Sequence, residues 1–164
     1  MNLSHIILPV FLTAGCLAGT VLADSLFLFD EEDAQHLRLS EQELIDQRPP
    51  LTRSLVFGPG IQIKKPGVQD IAGGDTVLTS TPMDLLVEFV EAGAPVDMES
   101  LEVKAKKGWF SKSLTGKLKP YVKGAIIEAN DIEVPEGRFL IEIYVADSNG
   151  AETTVTFGLE VIRQ

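Results

Sequence analysis

Between Val134 and Val161 the chain alternates apolar and polar residues so regularly that a long β-hairpin is the one local structure that suits it. Phe139, Ile141, Ile143 and Val145 fall on one face of the first arm. In the second arm Val155, Phe157, Leu159 and Val161 do the same, opposed by Glu152, Thr154, Thr156 and Glu160. A period of two belongs to strands with one face in a core and one in water. Between the arms, Asp147-Ser148-Asn149-Gly150 supplies residues that tolerate the left-handed conformations of a tight turn.

Shorter strands precede the hairpin. Ile61 and Ile63 alternate with Gln62 and Lys64 until Pro66-Gly67, and Thr76 to Thr81 is extended after a turn at Gly73-Gly74-Asp75. Met83, Leu85, Val87 and Phe89 form an inward face, with Leu86 and Val90 on the other. Leu101, Val103 and Ala105 alternate with Glu102, Lys104 and Lys106 beyond the break at Ala92-Gly93-Ala94-Pro95. Gly108 to Lys123 is irregular, and Leu114 to Val122 fits either a helical turn or a strand. Ala125 to Ile127 is extended again. Several short strands spaced by Gly, Pro and Asp turns predict an all-β sandwich.

Residues from about Pro95 to Val161 resemble bacterial immunoglobulin-like (Ig-like) domains. The resemblance is carried by Val96-Asp97-Met98-Glu99-Ser100-Leu101-Glu102-Val103, by Val134-Pro135-Glu136-Gly137-Arg138-Phe139, and by Val145-Ala146-Asp147-Ser148-Asn149-Gly150 with Thr156-Phe157. It extends loosely back to Gly60. It implies an Ig-like antiparallel β-sandwich over residues 60–164, with Gly137 at the corner entering the next-to-last strand. It departs from antibody domains in lacking an inter-sheet disulfide, and Trp109 lies in a loop. Such domains bind proteins or sugars, act as spacers or stabilise neighbours. The resemblance is one of fold and carries over no functional residue.

Residues 1–23 read as a signal peptide: an apolar run broken by Pro9, Gly15 and Gly19 and ending at Val21-Leu22-Ala23. A rival reading is a lipoprotein signal, Ala14-Gly15-Cys16, with membrane anchoring through an acylated Cys16. Cleavage after Ala23 is preferred, which makes the protein periplasmic or secreted. Residues 24–59 form an acidic, partly helical extension and linker. In it Leu26 to Phe29 precede Asp30-Glu31-Glu32-Asp33, and Ser40 with Glu43 forms a capping box for a short helix carrying Leu44 and Ile45. Arg48-Pro49-Pro50 ends that helix, and Gly58-Pro59-Gly60 marks the start of the compact domain.

The net charge of −10 argues against nucleic acid as a partner. Beyond Ala23 the chain has no cysteine, so neither a disulfide framework nor a thiol nucleophile is expected. His36 is the one histidine there and reads as a solvated surface residue. Asp147 and Asn149 are explained as turn residues rather than calcium ligands. These features predict a non-enzymatic protein with no cofactor and no metal.

The most individual stretch is a lysine block with no acid between Val103 and Ile127. Its candidate binding surface is Lys104, Lys106, Lys107, Trp109, Phe110, Lys112, Lys117, Lys119 and Tyr121. Aromatics beside lysines suit an unknown protein or an anionic or glycan component of the cell envelope. The alternative is that the aromatics are core and the lysines solvate a loop and blunt a sheet edge. The expected role is therefore an exported Ig-like interaction module of the bacterial envelope. The competing role is a structural accessory or chaperone-like subunit acting through the N-terminal extension. Within the chain itself, Glu31, Glu32 and Asp33 are candidates to fold over the lysines.

Overall fold

The computed structural model describes residues 25–48, 58–71 and 74–162. The segment read as a signal peptide and the linker from Pro49 to Phe57 lie outside these residues.

The long hairpin forms as its alternation requires. β10 (Gly137–Asp147) and β11 (Glu152–Ile162) pair antiparallel, Ile141 opposite Phe157 and Ile143 opposite Val155. Asp147 closes the turn, its Oδ1 accepting from the backbone N–H groups of Asn149 and Ala151 at 2.9 Å each. Gly150 takes the positive φ, 80°, that this turn demands. The Asp147 carboxylate is buried and holds two backbone donors. Asp147→Ala should thus cost about 0.5–1.5 kcal/mol per lost bond in urea unfolding, the usual net worth of a hydrogen bond. An unchanged midpoint would show that water replaces the carboxylate.

Two sheets build a sandwich-like fold. One runs β3 (Val68–Ile71), β4 (Gly74–Ser80), β11, β10, β6 (Val96–Lys107), β7 (Phe110–Ser113). The other runs β1 (Leu26–Phe27), β9 (Ile126–Glu133), β5 (Met83–Val90), β2 (Gly60–Lys65), with β8 (Val122–Lys123) also on β9. The expectation of a purely antiparallel sandwich is corrected here: β4 runs parallel to β11, and β1 runs parallel to β9. Only partners joined by a tight turn are forced to be antiparallel, and these two pairs are joined through long stretches of chain that hold several other strands. The open segment Leu114 to Val122 resolves into α3 (Thr115–Leu118) and a 3-10 turn, Lys119–Tyr121.

The inward faces of the sheets meet in one core that includes Val87, Val103, Ile127, Ile141 and Phe157. Its interior void is about 40 Å³, too small for a ligand.

The core does not stop at Gly60. Leu28 and Phe29 follow β1 into it, and the Phe29 ring meets Phe139 edge-on with centroids 4.7 Å apart. Asp30 then caps α1 (Glu31–Leu37), accepting from the Asp33 N–H at 2.8 Å. Ala34 and Leu37 of α1 are fully buried in the same core. After a bridge from Leu39 to Arg138, the expected capping box starts α2 (Glu41–Gln47): Ser40 Oγ accepts from Glu43 N–H, and Glu43 from Ser40 N–H. Leu44 alone is buried in α2, over Gly158 and beside Leu39 and Leu140; Ile45 is 37% exposed. Of the four consecutive apolar residues, Leu28 and Phe29 are buried and Leu26 packs partly against the core, whereas Phe27 is 60% exposed. The extension spans the molecule from an edge of one sheet to the outer face of the other.

Candidate binding surface

β6 and β7 are joined by two residues, Gly108 and Trp109, with Lys107 opposite Phe110. Gly108 has φ 57° and Trp109 has no positive φ, the order that a II′ hairpin turn requires. The turn is fixed from outside by the extension. Gly108 N–H donates to Gln47 Oε1 at 2.8 Å, and Lys107 Nζ donates to the Arg38 carbonyl at 2.6 Å with Glu43 3.6 Å away. On this held tip Trp109 is 97% exposed. Its neighbour Phe110 turns the other way, half-buried against the core and 6.0 Å from the His36 ring.

The remaining candidates separate. Lys104 and Lys106 lie on the outer face of the larger sheet, paired with Glu102 and Glu142. Lys112 sits on the β7 edge, 2.8 Å from Asp33 of α1. Lys117 donates to the Phe27 carbonyl from α3, and Lys119 pairs with Glu99. Tyr121 packs partly against the core. These six lysines and Lys123, which pairs with Glu128, look like one basic patch in sequence but are, in space, individually matched by carboxylates or carbonyls. The acidic run supplies one of these partners, Asp33, whereas Glu31 pairs with Arg38.

Hydrogen bonding to Asp33 holds the Lys112 ammonium above its usual range, and the Ser40 backbone N–H, ahead of its hydroxyl, holds the Glu43 carboxyl below its usual range. The Glu43 contribution is present above the unfolded value and lost as pH falls through the folded one. The Lys112 contribution is present below the unfolded value and lost as pH rises through the folded one. With ordinary values near 4.5 and 10.5, both contributions should be in place between about pH 5 and 10. Amide exchange across α1 and α2 should be flat in that window once corrected for intrinsic rates; a step near neutral pH would contradict it.

A surface concavity of about 530 Å³ lies elsewhere, between Phe27, Arg38, Thr81, Glu133, Pro135 and Glu136. Its Thr81 hydroxyl is engaged with Glu133 and the Val134 N–H, and His36 is not part of it. Among the described residues, no three His, Cys, Asp or Glu side chains gather as a metal site, and no helix is long and apolar enough to cross a membrane.

Beside Gly108 a shallow groove of about 320 Å³ opens on the outer sheet face, lined by Gln47, Lys106, Leu140, Glu142 and Thr156. Sequence reasoning missed it. Its walls come from α2, β6, β10 and β11, and no local pattern links a helix end at 47 to strand positions near 106, 142 and 156.

No family model, no curated protein and no solved structure matches the chain.

Proposed function

We propose that the protein is an exported, non-enzymatic Ig-like module of the bacterial cell envelope that binds a partner through the β6–β7 tip. The Ig-like reading is supported by two packed sheets, by a long final hairpin and by β4 running alongside the last strand. The observation that carries the binding role is Trp109. It is the chain's one tryptophan, and the largest apolar side chain is rarely presented whole to water on a turn fixed by outside hydrogen bonds. A pre-positioned aromatic loses little entropy on contact, which is why such residues dominate interfaces. The competing role, an extension that works on a partner, is less well supported, because Phe29 and Leu37 would first have to leave the core.

The test replaces Trp109 with a photoreactive phenylalanine in the full-length protein, expressed in the cells that make it. Adducts should form at position 109 and not at Leu78, an exposed control on β4. Equal yields at both positions would remove the tip as the contact surface. Intact-mass analysis of the same material addresses export. An unmodified chain from Asp24 is expected, and an acylated chain from Cys16 would make it a lipid-anchored protein instead.

A further inference from the structure

We infer that the tip and the groove beside it form a subsite for a neutral glycan, with the Trp109 indole as the platform on which a sugar ring stacks. The inference rests on the binding role proposed above and names the ligand class for that surface. Three observations select it.

The first is electrostatic. The lysines around the tip do not present a free positive field. Lys106 is 2.8 Å from Glu142, Lys107 is held by the Arg38 carbonyl and Glu43, and Lys112 is 2.8 Å from Asp33. An anionic partner would have to compete with these carboxylates, within a chain of net charge −10.

The second is size. The tip offers one indole, roughly 200–250 Å² of apolar surface, whose ring contact is the edge-on one with Phe110. A stable protein interface needs about 800 Å² per partner around a dry centre. One ring is too small for that centre, but it matches the apolar face of a single pyranose.

The third is the chemistry of the groove. Glu142 stands directly across from Thr156 on β11 and from Lys104 on β6, and Leu140 lies across from Lys106. Carboxylate, ammonium and hydroxyl are thus fixed side by side over a buried leucine, with the Gln47 amide at the groove wall. The Gln47 Oε1 already accepts from Gly108, which orients its NH₂ end as the donor. Vicinal sugar hydroxyls each donate and accept, so alternating rigid donors and acceptors suit them. The volume, about 320 Å³, falls at the lower end of small-molecule sites.

Because Trp109 is the one tryptophan, its emission reports this surface alone. The full-length protein is titrated with chitotetraose, cellotetraose and maltotetraose. At least one should shift the emission to the blue, with a dissociation constant on the order of 1 mM, as expected for a single stacking platform. In saccharide-observed NMR, Trp109→Ala should weaken binding at least 10-fold, and Trp109→Phe by a smaller factor. Glu142→Gln and Thr156→Val should each weaken it several-fold while leaving the free protein's circular dichroism and emission unchanged. No response from any of the three sugars at about ten times that concentration would overturn the proposal. Binding that is indifferent to Glu142→Gln and Thr156→Val would overturn the groove assignment. A photo-adduct from residue 109 to a protein, with no sugar response, would leave the contact surface standing and remove the glycan.

Discussion

A fragment from Gly60 to Gln164 should lose the cooperative unfolding transition of the longer chain. The extension places Leu28, Phe29 and Leu37 in the common core with at most 4% of their surface exposed. Burying a large apolar side chain stabilises by about 1.5–3 kcal/mol, so these three contribute roughly 5–9 kcal/mol. Small domains are stable by about 5–15 kcal/mol in total. Truncation therefore removes a quantity comparable to the whole margin, and also takes from Phe139 the ring it packs against. Urea unfolding followed by circular dichroism should show a broad or absent transition for the fragment. A fragment melting cooperatively near the full-length midpoint would make the extension an accessory of an independent sandwich. Ion pairs do not alter this estimate. Lys112–Asp33 and Lys107–Glu43 are partly exposed, and such pairs contribute about 0–1 kcal/mol. Hydrophobic burial holds the extension down, and high salt alone should not release it.

How legible this was depends on the range of the interactions. Strand existence and facing were readable, because alternation is written locally. Phe139, Ile141, Ile143 and Val145 are all buried, as are Phe157, Leu159 and Val161. The Asp147 turn and the Ser40–Glu43 box were readable for the same reason, since each is complete within four or five residues. Strand direction was not. The parallel pairing of β4 with β11 joins residues some 80 positions apart, and nothing near Val77 points to Leu159.

The boundary at Gly60 was read from Gly58-Pro59-Gly60, which does precede β2, but packing carries the core across it. The exposure of the candidate residues was legible only in part. Trp109 between lysines drew attention in sequence, and it is the exposed residue. Phe110, next to it, looked equivalent and turned inward, because a two-residue turn ends the alternation at Trp109 and the β7 pairing restarts it at Phe110. The neutralised state of the lysines was invisible, since Asp33 and Glu43 are 79 and 64 residues from their partners.

Phe29→Ala is the point substitution expected to cost most, because it tests the extension's strongest hold without deleting it. Phe29 has no exposed surface, and its ring meets Phe139 at 68° with 4.7 Å between centroids, an edge-to-face pair. Removing a buried phenylalanine costs about 3–5 kcal/mol through lost transfer energy and the cavity left behind. Part of that loss should belong to the pair itself. In a cycle with Phe139→Leu, the double variant should be less destabilised than the sum by about 0.5–1.5 kcal/mol, the ordinary range for aromatic couplings. Phe29→Leu keeps most of the volume and should cost about 1–1.5 kcal/mol. Urea unfolding of the parent and the four variants decides it, read by circular dichroism because Trp109 lies in water. A cost for Phe29→Ala below about 1 kcal/mol would mean the ring is solvated in the working protein and the extension undocked. A full cost with no coupling to Phe139 would keep the burial and remove the edge-to-face contact as its cause.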